Sequence, residues 1–160
     1  MATHLDLEEQ EQLDQLKAFW KQYGNLITWV LIACLGAYAA WNGWNWWQRD
    51  QAAKAGAMFD ALDKAAIEGD VARAAAVFAD MKERYPRTAF AQQAGLLLAK
   101  LQVEKSKVDE ARISLGWVAT NAIEDEYKTV AHLRMAALLL DAKKLDEALK
   151  ELDAAKAEGF

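Results

Sequence analysis

The chain has 160 residues at a net charge of −5, with one proline, eight glycines, one cysteine and seven tryptophans. One proline and few glycines leave too little turn material for an all-β sandwich, which needs a break every ~8–12 residues. One cysteine excludes an internal disulfide framework. The negative charge argues against a nucleic-acid partner, because such partners usually meet a basic surface.

The first 22 residues form an acidic N-terminal tail, with five acidic residues against two lysines. Leu13, Leu16 and Trp20 recur at helical spacing within it. This pattern fits a short amphipathic helix that meets a membrane, and it equally fits a frayed polar terminus. The residues leave both alternatives open.

A long uncharged segment follows, since no charged residue occurs between Lys21 and Arg49. A helix rises about 1.5 Å per residue, so roughly 20 apolar residues cross the hydrocarbon core of a bilayer. We therefore predict a transmembrane signal-anchor helix at residues 23–48, surrounded by lipid. The acidic start favours an uncleaved anchor over a cleaved signal peptide, which opens with a basic region.

Aromatic side chains cluster at both ends of this predicted span. Tryptophan and tyrosine concentrate where a membrane meets water, because their rings are apolar and carry a polar tip. We assign to the membrane interfaces Trp20, Tyr23, Trp41, Trp44, Trp46 and Trp47.

The charges beside the span do not decide its orientation. Lys17 and Lys21 precede it, and Arg49, Lys54 and Lys64 follow it. The side richer in Lys and Arg usually stays in the cytoplasm, so this count leans slightly toward an external N-terminus. A difference of one charge is too small to fix the topology, since long domains cross the membrane regardless of charge.

The remaining sequence contains three copies of one pattern, spaced 37 residues apart without gaps. The first copy runs from Gly69 to Met81, and the next two begin at Ser106 and Lys143. Each copy opens with a polar turn and continues as a helix with apolar residues every three or four positions, and a second helix precedes each turn. The pattern predicts a repeat domain at 49–160 with helix–turn–helix units at about 51–87, 88–124 and 125–160.

The first copy resembles the tetratricopeptide repeat in Gly69, Val71, Ala74, Phe78 and Pro86. The later copies lack the glycine and the proline, and the period exceeds the usual 34 residues. The resemblance implies an all-α fold, in which one N-terminal transmembrane helix is followed by tetratricopeptide-like helical hairpins that form an α-solenoid.

The repeat domain offers little chemistry. Its one histidine is His132, and the sole cysteine, Cys34, lies in the predicted span. Nucleophilic catalysis needs a nucleophile beside a base, and a metal site needs several converging donors. The acidic run from Glu124 to Glu126 is better explained as favourable charge at a helix N-terminus. We therefore expect no catalytic residues, no metal ligands, no cofactor and no enzymatic activity.

A solenoid of helical hairpins usually binds partners on its concave face. In the tetratricopeptide register this face takes side chains from the first helix of each unit. The candidates for a partner groove are Phe59, Leu96, Val103, Val130, Leu133 and Leu140. The alternative, that these residues form the core between helices, stays open.

The order of segments, with the runs LDQLKAFWKQYGN and LDEALKELDAAKAEGF, resembles the YfgM-type ancillary subunits of the SecYEG translocon in Gram-negative bacteria. The resemblance implies a non-enzymatic, membrane-tethered adaptor or chaperone-like subunit of the inner membrane, with a cytoplasmic N-terminus and a periplasmic repeat domain. It implies three kinds of protein partner: the SecYEG translocon, a membrane-anchored periplasmic chaperone of the prolyl-isomerase type, and unfolded secretory or membrane-protein chains.

Two further expectations accompany this resemblance. Family members usually continue with more helical sequence, and a solenoid needs a polar capping repeat, so we expect further sequence after Phe160 and a partly uncovered last helix. The alternative function is an inner-membrane regulatory protein whose cytoplasmic N-terminal tail binds a cytoplasmic factor.

Overall fold

The structure, a computed structural model, describes residues 7–159. It consists of six α-helices: α1 (Leu7–Glu68), α2 (Val71–Arg84), α3 (Ala89–Glu104), α4 (Val108–Asn121), α5 (Asp125–Asp141) and α6 (Leu145–Gly159). No strand occurs within residues 7–159, so the predicted all-α class is confirmed. The chain divides into two compact units, one ending at Trp47 and one beginning at Gln48.

The first unit is a single helix whose apolar side chains remain uncovered. The helix begins at Leu7, so the part of the acidic tail that the structure describes is helical, while residues 1–6 lie outside the described residues. Its most apolar 18-residue window is only 6% buried, and α1 alone among the described helices is long and apolar enough to cross a membrane. A helix that is hydrophobic all round needs an apolar environment, which lipid supplies.

The second unit consists of three helical hairpins: the end of α1 with α2, α3 with α4, and α5 with α6. The residue that ends the first helix of each hairpin has a left-handed backbone, with φ of 72° at Gly69, 60° at Ser106 and 58° at Lys143. These positions are 37 residues apart. In each turn the next backbone N–H reaches back to the helix: Asp70 to Ala65 (2.9 Å), Lys107 to Gln102 (2.7 Å) and Lys144 to Leu139 (2.9 Å). This hydrogen-bond pattern is the Schellman motif, which satisfies a carbonyl that the helix end leaves free.

Two helices of this unit begin at a side-chain cap. The Asp70 carboxylate accepts a hydrogen bond from the Arg73 backbone N–H at 3.0 Å, and the Thr88 hydroxyl accepts one from the Ala91 N–H at 3.3 Å. Such caps satisfy donors that the first helical turn cannot pair. Pro86 lies between α2 and the cap of α3, where it cannot interrupt either helix.

Two hydrophobic clusters hold the hairpins together. The first joins hairpins one and two through Ala55, Leu62, Ala65, Val71, Ala74, Phe78, Met81, Ala94, Leu98 and Leu101. The second joins hairpins two and three through Leu96, Ala99, Ala111, Leu115, Val118, Ala122 and Ala131. Each hairpin therefore buries its apolar stripe against its neighbour, as stacked repeats do.

The helices approach most closely at Gly95 of α3. A Cβ atom at this position would lie 2.5 Å from Val118 Cγ2 and 3.0 Å from Phe78 Cζ. The Phe78 ring also packs edge-on against Trp117, with centroids 5.3 Å apart. Trp117, the one tryptophan outside the anchor region, is therefore part of the packing between hairpins.

Candidate membrane anchor and partner-binding surface

The six residues assigned to the membrane interfaces are all exposed on α1: Trp20, Tyr23, Trp41, Trp44, Trp46 and Trp47. The Trp44 and Trp47 rings lie 5.4 Å apart, one helical turn from each other. No protein contact explains why so many large aromatic rings are left uncovered within this unit. Their contact with lipid headgroups stays a prediction.

Polar side chains within the anchor bond back to their own helix. The Thr28 hydroxyl donates to the Gly24 carbonyl at 2.8 Å, and the Asn42 amide donates to the Tyr38 carbonyl at 3.0 Å. Such local bonds reduce the cost of placing polar groups in hydrocarbon, where water cannot satisfy them. The anchor is therefore chemically suited to the interior of a bilayer.

The lysine nearest the C-terminal end of the anchor is paired. Lys54 Nζ donates to Asp50 Oδ2 at 2.7 Å, and this hydrogen bond with the nearby negative charge raises the pKa of Lys54. On the other side, Lys17 Nζ lies 3.7 Å from Asp14 Oδ1. Each end thus has one lysine beside a carboxylate, and the local charge still does not choose an orientation.

Three of the six groove candidates are exposed: Val103, Leu133 and Leu140. They lie on the first helices of hairpins two and three, as the tetratricopeptide register predicts. Exposed apolar residues are the kind that bind partners. Their role in binding stays a prediction.

The other three candidates take part in packing. Phe59 and Val130 are half-buried, Phe59 with its ring 5.9 Å from that of Phe90 and Val130 against the second hydrophobic cluster. Leu96 is only 9% exposed and belongs to that second cluster. The prediction that Leu96 lines a surface groove is therefore wrong, because the third hairpin covers it.

Sequence reasoning missed two polar links between α3 and α5. Gln93 Nε2 donates to Tyr127 Oη at 2.7 Å, and Arg134 Nη1 donates to the Leu96 carbonyl at 3.1 Å. The partners are 34 and 38 residues apart, close to one repeat length. That spacing was a usable signal, because equivalent helices of neighbouring repeats lie side by side.

His132 pairs with a carboxylate of the next helix. Its Nδ1 lies 2.7 Å from Glu151 Oε2, and both side chains are largely buried. A second link reaches α6 from α4, where Arg112 Nη2 lies 3.6 Å from Glu147 Oε2. His132 thus joins α5 to α6, which is a structural role.

The acidic run lies at the start of α5, where Asp125 and Glu126 occupy the first turn. Negative charge there interacts favourably with the helix dipole. Among the residues that the structure describes, no three His, Cys, Asp or Glu side chains are placed to hold a metal ion. The anchor and the hairpin surfaces are therefore the candidate functional features.

These features define a class: a membrane-associated protein with a single apolar helix and stacked helical hairpins. The family model for a tetratricopeptide repeat-like domain matches residues 17–160. The chain is also 31% identical over 156 residues to the ancillary SecYEG translocon subunit of Neisseria gonorrhoeae, covering 96% of this chain and 73% of the relative. The subunits of the same name are 29% identical over 154 residues in Haemophilus influenzae (96% and 75% covered) and 30% identical over 154 residues in Escherichia coli (95% and 73% covered).

The chain therefore belongs to the family of the ancillary SecYEG translocon subunits. This confirms the resemblance inferred from the order of the tail, the anchor and the repeats. No solved structure matches the chain.

Proposed function

We propose that this protein is a non-enzymatic, membrane-tethered adaptor that associates with the SecYEG translocon. The observation that carries the proposal is the similarity to subunits of that name, which extends over 96% of the chain and so includes both the anchor and the hairpins. The adaptor links the translocon to a membrane-anchored periplasmic chaperone of the prolyl-isomerase type or to unfolded chains as they emerge.

The anchor explains how weak contacts suffice for this role. A short tether raises the local concentration of a partner to the millimolar range, so hairpins with modest affinity stay occupied. The exposed Val103, Leu133 and Leu140 supply apolar contacts of this kind. Binding through such residues needs no reactive group, in keeping with an adaptor that catalyses no reaction.

Crosslinking in native inner membranes tests the association. A photo-crosslinking amino acid at Leu133 should yield products with a translocon subunit or the chaperone. The same group at Ile113, an exposed apolar residue of α4, is the matched control and should yield little. Products containing only this chain, or equal yields at both positions, would count against the proposal.

The proposal places the N-terminus in the cytoplasm and the hairpins in the periplasm. Protease added to intact spheroplasts should then cleave residues 51–160, whereas a tag at the N-terminus should be cleaved only after permeabilisation. Protection of the hairpins in intact spheroplasts would contradict this topology.

A deletion separates the adaptor from the regulatory alternative. Removing residues 2–18 should leave the crosslinks at Leu133 unchanged if the hairpins bind the partners. Loss of those crosslinks, with the protein still inserted, would instead favour a tail that recruits a cytoplasmic factor.

A further inference from the structure

The third hairpin differs from the first two in its exposed leucines. Within the described part of the repeat unit, every leucine that is exposed lies on α5 or α6: Leu133, Leu140, Leu145, Leu149 and Leu152. Clustered apolar exposure of this kind marks an interaction surface more often than scattered residues do.

The repeat itself shows that two of these leucines occupy positions that are normally covered. Leu133 is 37 residues after Leu96, and its exposed fraction is 41% against 9%. Leu152 is 37 residues after Leu115, and its exposed fraction is 37% against 1%. We call the surface around Leu133 and Leu152 the end face.

The structure also shows, twice, what covers this position. On hairpin one, Phe78 packs in a cluster with Ala94 and Leu98 of α3. On hairpin two, Leu96 and Leu115 pack in a cluster with Ala131 of α5. In both cases the cover is one helix that presents a fully buried alanine. The small side chain allows close approach, as tight interiors require.

A polar contact accompanies the apolar one where α5 covers hairpin two. Arg134, three residues after Ala131, donates to the Leu96 carbonyl. On the end face the equivalent acceptor is the carbonyl of Leu133, one repeat later. A helix with alanine followed three residues later by arginine would reproduce both contacts, because residues three apart lie on one side of a helix.

We propose that the end face docks an amphipathic helix of another protein, one that carries this alanine and arginine pair and packs as α5 packs on hairpin two. No helix within residues 7–159 covers the end face. The proposal is independent of the translocon association, because it depends only on the contacts that repeat between hairpins.

A peptide with the sequence of α5, residues 125–141, is a direct probe, since this helix covers the equivalent face within the chain. The full chain in lipid nanodiscs should bind a fluorescently labelled peptide saturably, measured by anisotropy, and empty nanodiscs should not. Leu152→Glu and Leu133→Glu should each weaken binding at least tenfold. Ile113→Glu, at an exposed position on α4, should leave it unchanged.

Two controls separate docking from general damage. A peptide carrying Ala131→Arg should bind at least tenfold more weakly, because the long side chain prevents close approach. Leu152→Ile in the chain should retain binding, and circular dichroism should show the same helix content in every chain variant. Absence of saturable binding, or equal binding by Leu152→Glu and the unchanged chain, would overturn the proposal.

A crosslink in native membranes identifies the kind of occupant. A photo-crosslinking amino acid at Leu152 should join the chain to a different protein, and Leu133→Glu should abolish that product. A product with twice the mass of the chain would show that a second copy covers the end face, and this would overturn the proposal. Translocon products from a probe at Val103 report on the proposed function separately.

Discussion

The anchor and the repeat unit are both rich in apolar side chains, yet they expose them in opposite ways. Leu31 in the anchor is 56% exposed, whereas Leu115 in the second hydrophobic cluster is 1% exposed. The anchor is apolar on all sides, so one helix cannot cover it and lipid must do so. In the hairpins the apolar residues form one stripe, and the neighbouring hairpin covers that stripe. The hydrophobic effect is the same, and only the covering medium differs.

Polar groups follow the same division. In the anchor, Thr28 and Asn42 bond to carbonyls of their own helix. In the repeat unit, the buried Ser114 hydroxyl donates to Gln102 Oε1 of the neighbouring helix at 2.8 Å. A helix alone in lipid has only its own backbone as a partner, whereas packed helices can satisfy each other.

Truncating a leucine should have the largest effect, and only in the repeat unit. Leu115→Ala removes a fully covered side chain and should lower the free energy of unfolding by about 2–5 kcal/mol. Leu35→Ala in the anchor removes a side chain without protein contacts and should leave this value nearly unchanged. Urea denaturation of the full chain in detergent, followed by circular dichroism, measures both. Equal losses would show that the anchor is packed against protein.

A charge should reverse the comparison. Leu31→Arg in the anchor should raise the apparent free energy of membrane insertion by about 2.5–3.5 kcal/mol, because the guanidinium enters hydrocarbon. Ile113→Arg, at a comparably exposed position on α4, should change stability by no more than about 0.5 kcal/mol, because water already surrounds it. Carbonate extraction measures the inserted fraction. Full insertion of Leu31→Arg would contradict a lipid-covered span.

A methyl group at a glycine tests how tightly the hairpins pack. Gly95→Ala should lower the free energy of unfolding by about 1–3 kcal/mol, because its Cβ would overlap Val118. Gly116→Ala should raise it by about 0.5–1 kcal/mol, since no other atom lies within 4 Å of the new Cβ. The same urea titration measures both variants. A gain for Gly95→Ala would mean that α3 and α4 are farther apart than described.

The smallest effect should come from the turns. Ser106→Gly should raise the free energy of unfolding by about 0.5–1 kcal/mol, because a side chain at φ of 60° is strained and glycine is not. Lys105→Gly, with φ of −95°, is the control and should bring no gain. Thermal unfolding of both variants is the measurement. A loss at Ser106 would indicate that its side chain makes a contact worth more than the strain.

Much of this architecture could be predicted because it depends on local pattern. An uncharged apolar run indicates a span, and the 37-residue period indicates helical hairpins. The period even placed the turns, although only Gly69 has the residue type that a left-handed backbone favours. At Ser106 and Lys143 the repeat register outweighs the local preference, because a hairpin in a stack must turn where its neighbours turn.

The candidate groove was predicted less well, and Leu96 shows why. Leu96 and Leu133 hold the same place in the repeat and have the same side chain, yet one is buried and the other is exposed. The difference comes from the presence of a following hairpin. A pattern read along the chain assigns both residues to the same stripe and contains no term for what packs against it.

The sequence by itself therefore determined the helical class, the anchor, the hairpin count and the family, because periodicity and composition act within each element. Tertiary structure alone decided which apolar residues are core and which remain as surface. It also decided that His132 pairs with Glu151 and that Arg134 reaches the Leu96 carbonyl. Burial and hydrogen bonding depend on neighbours in space, and those neighbours come from other hairpins.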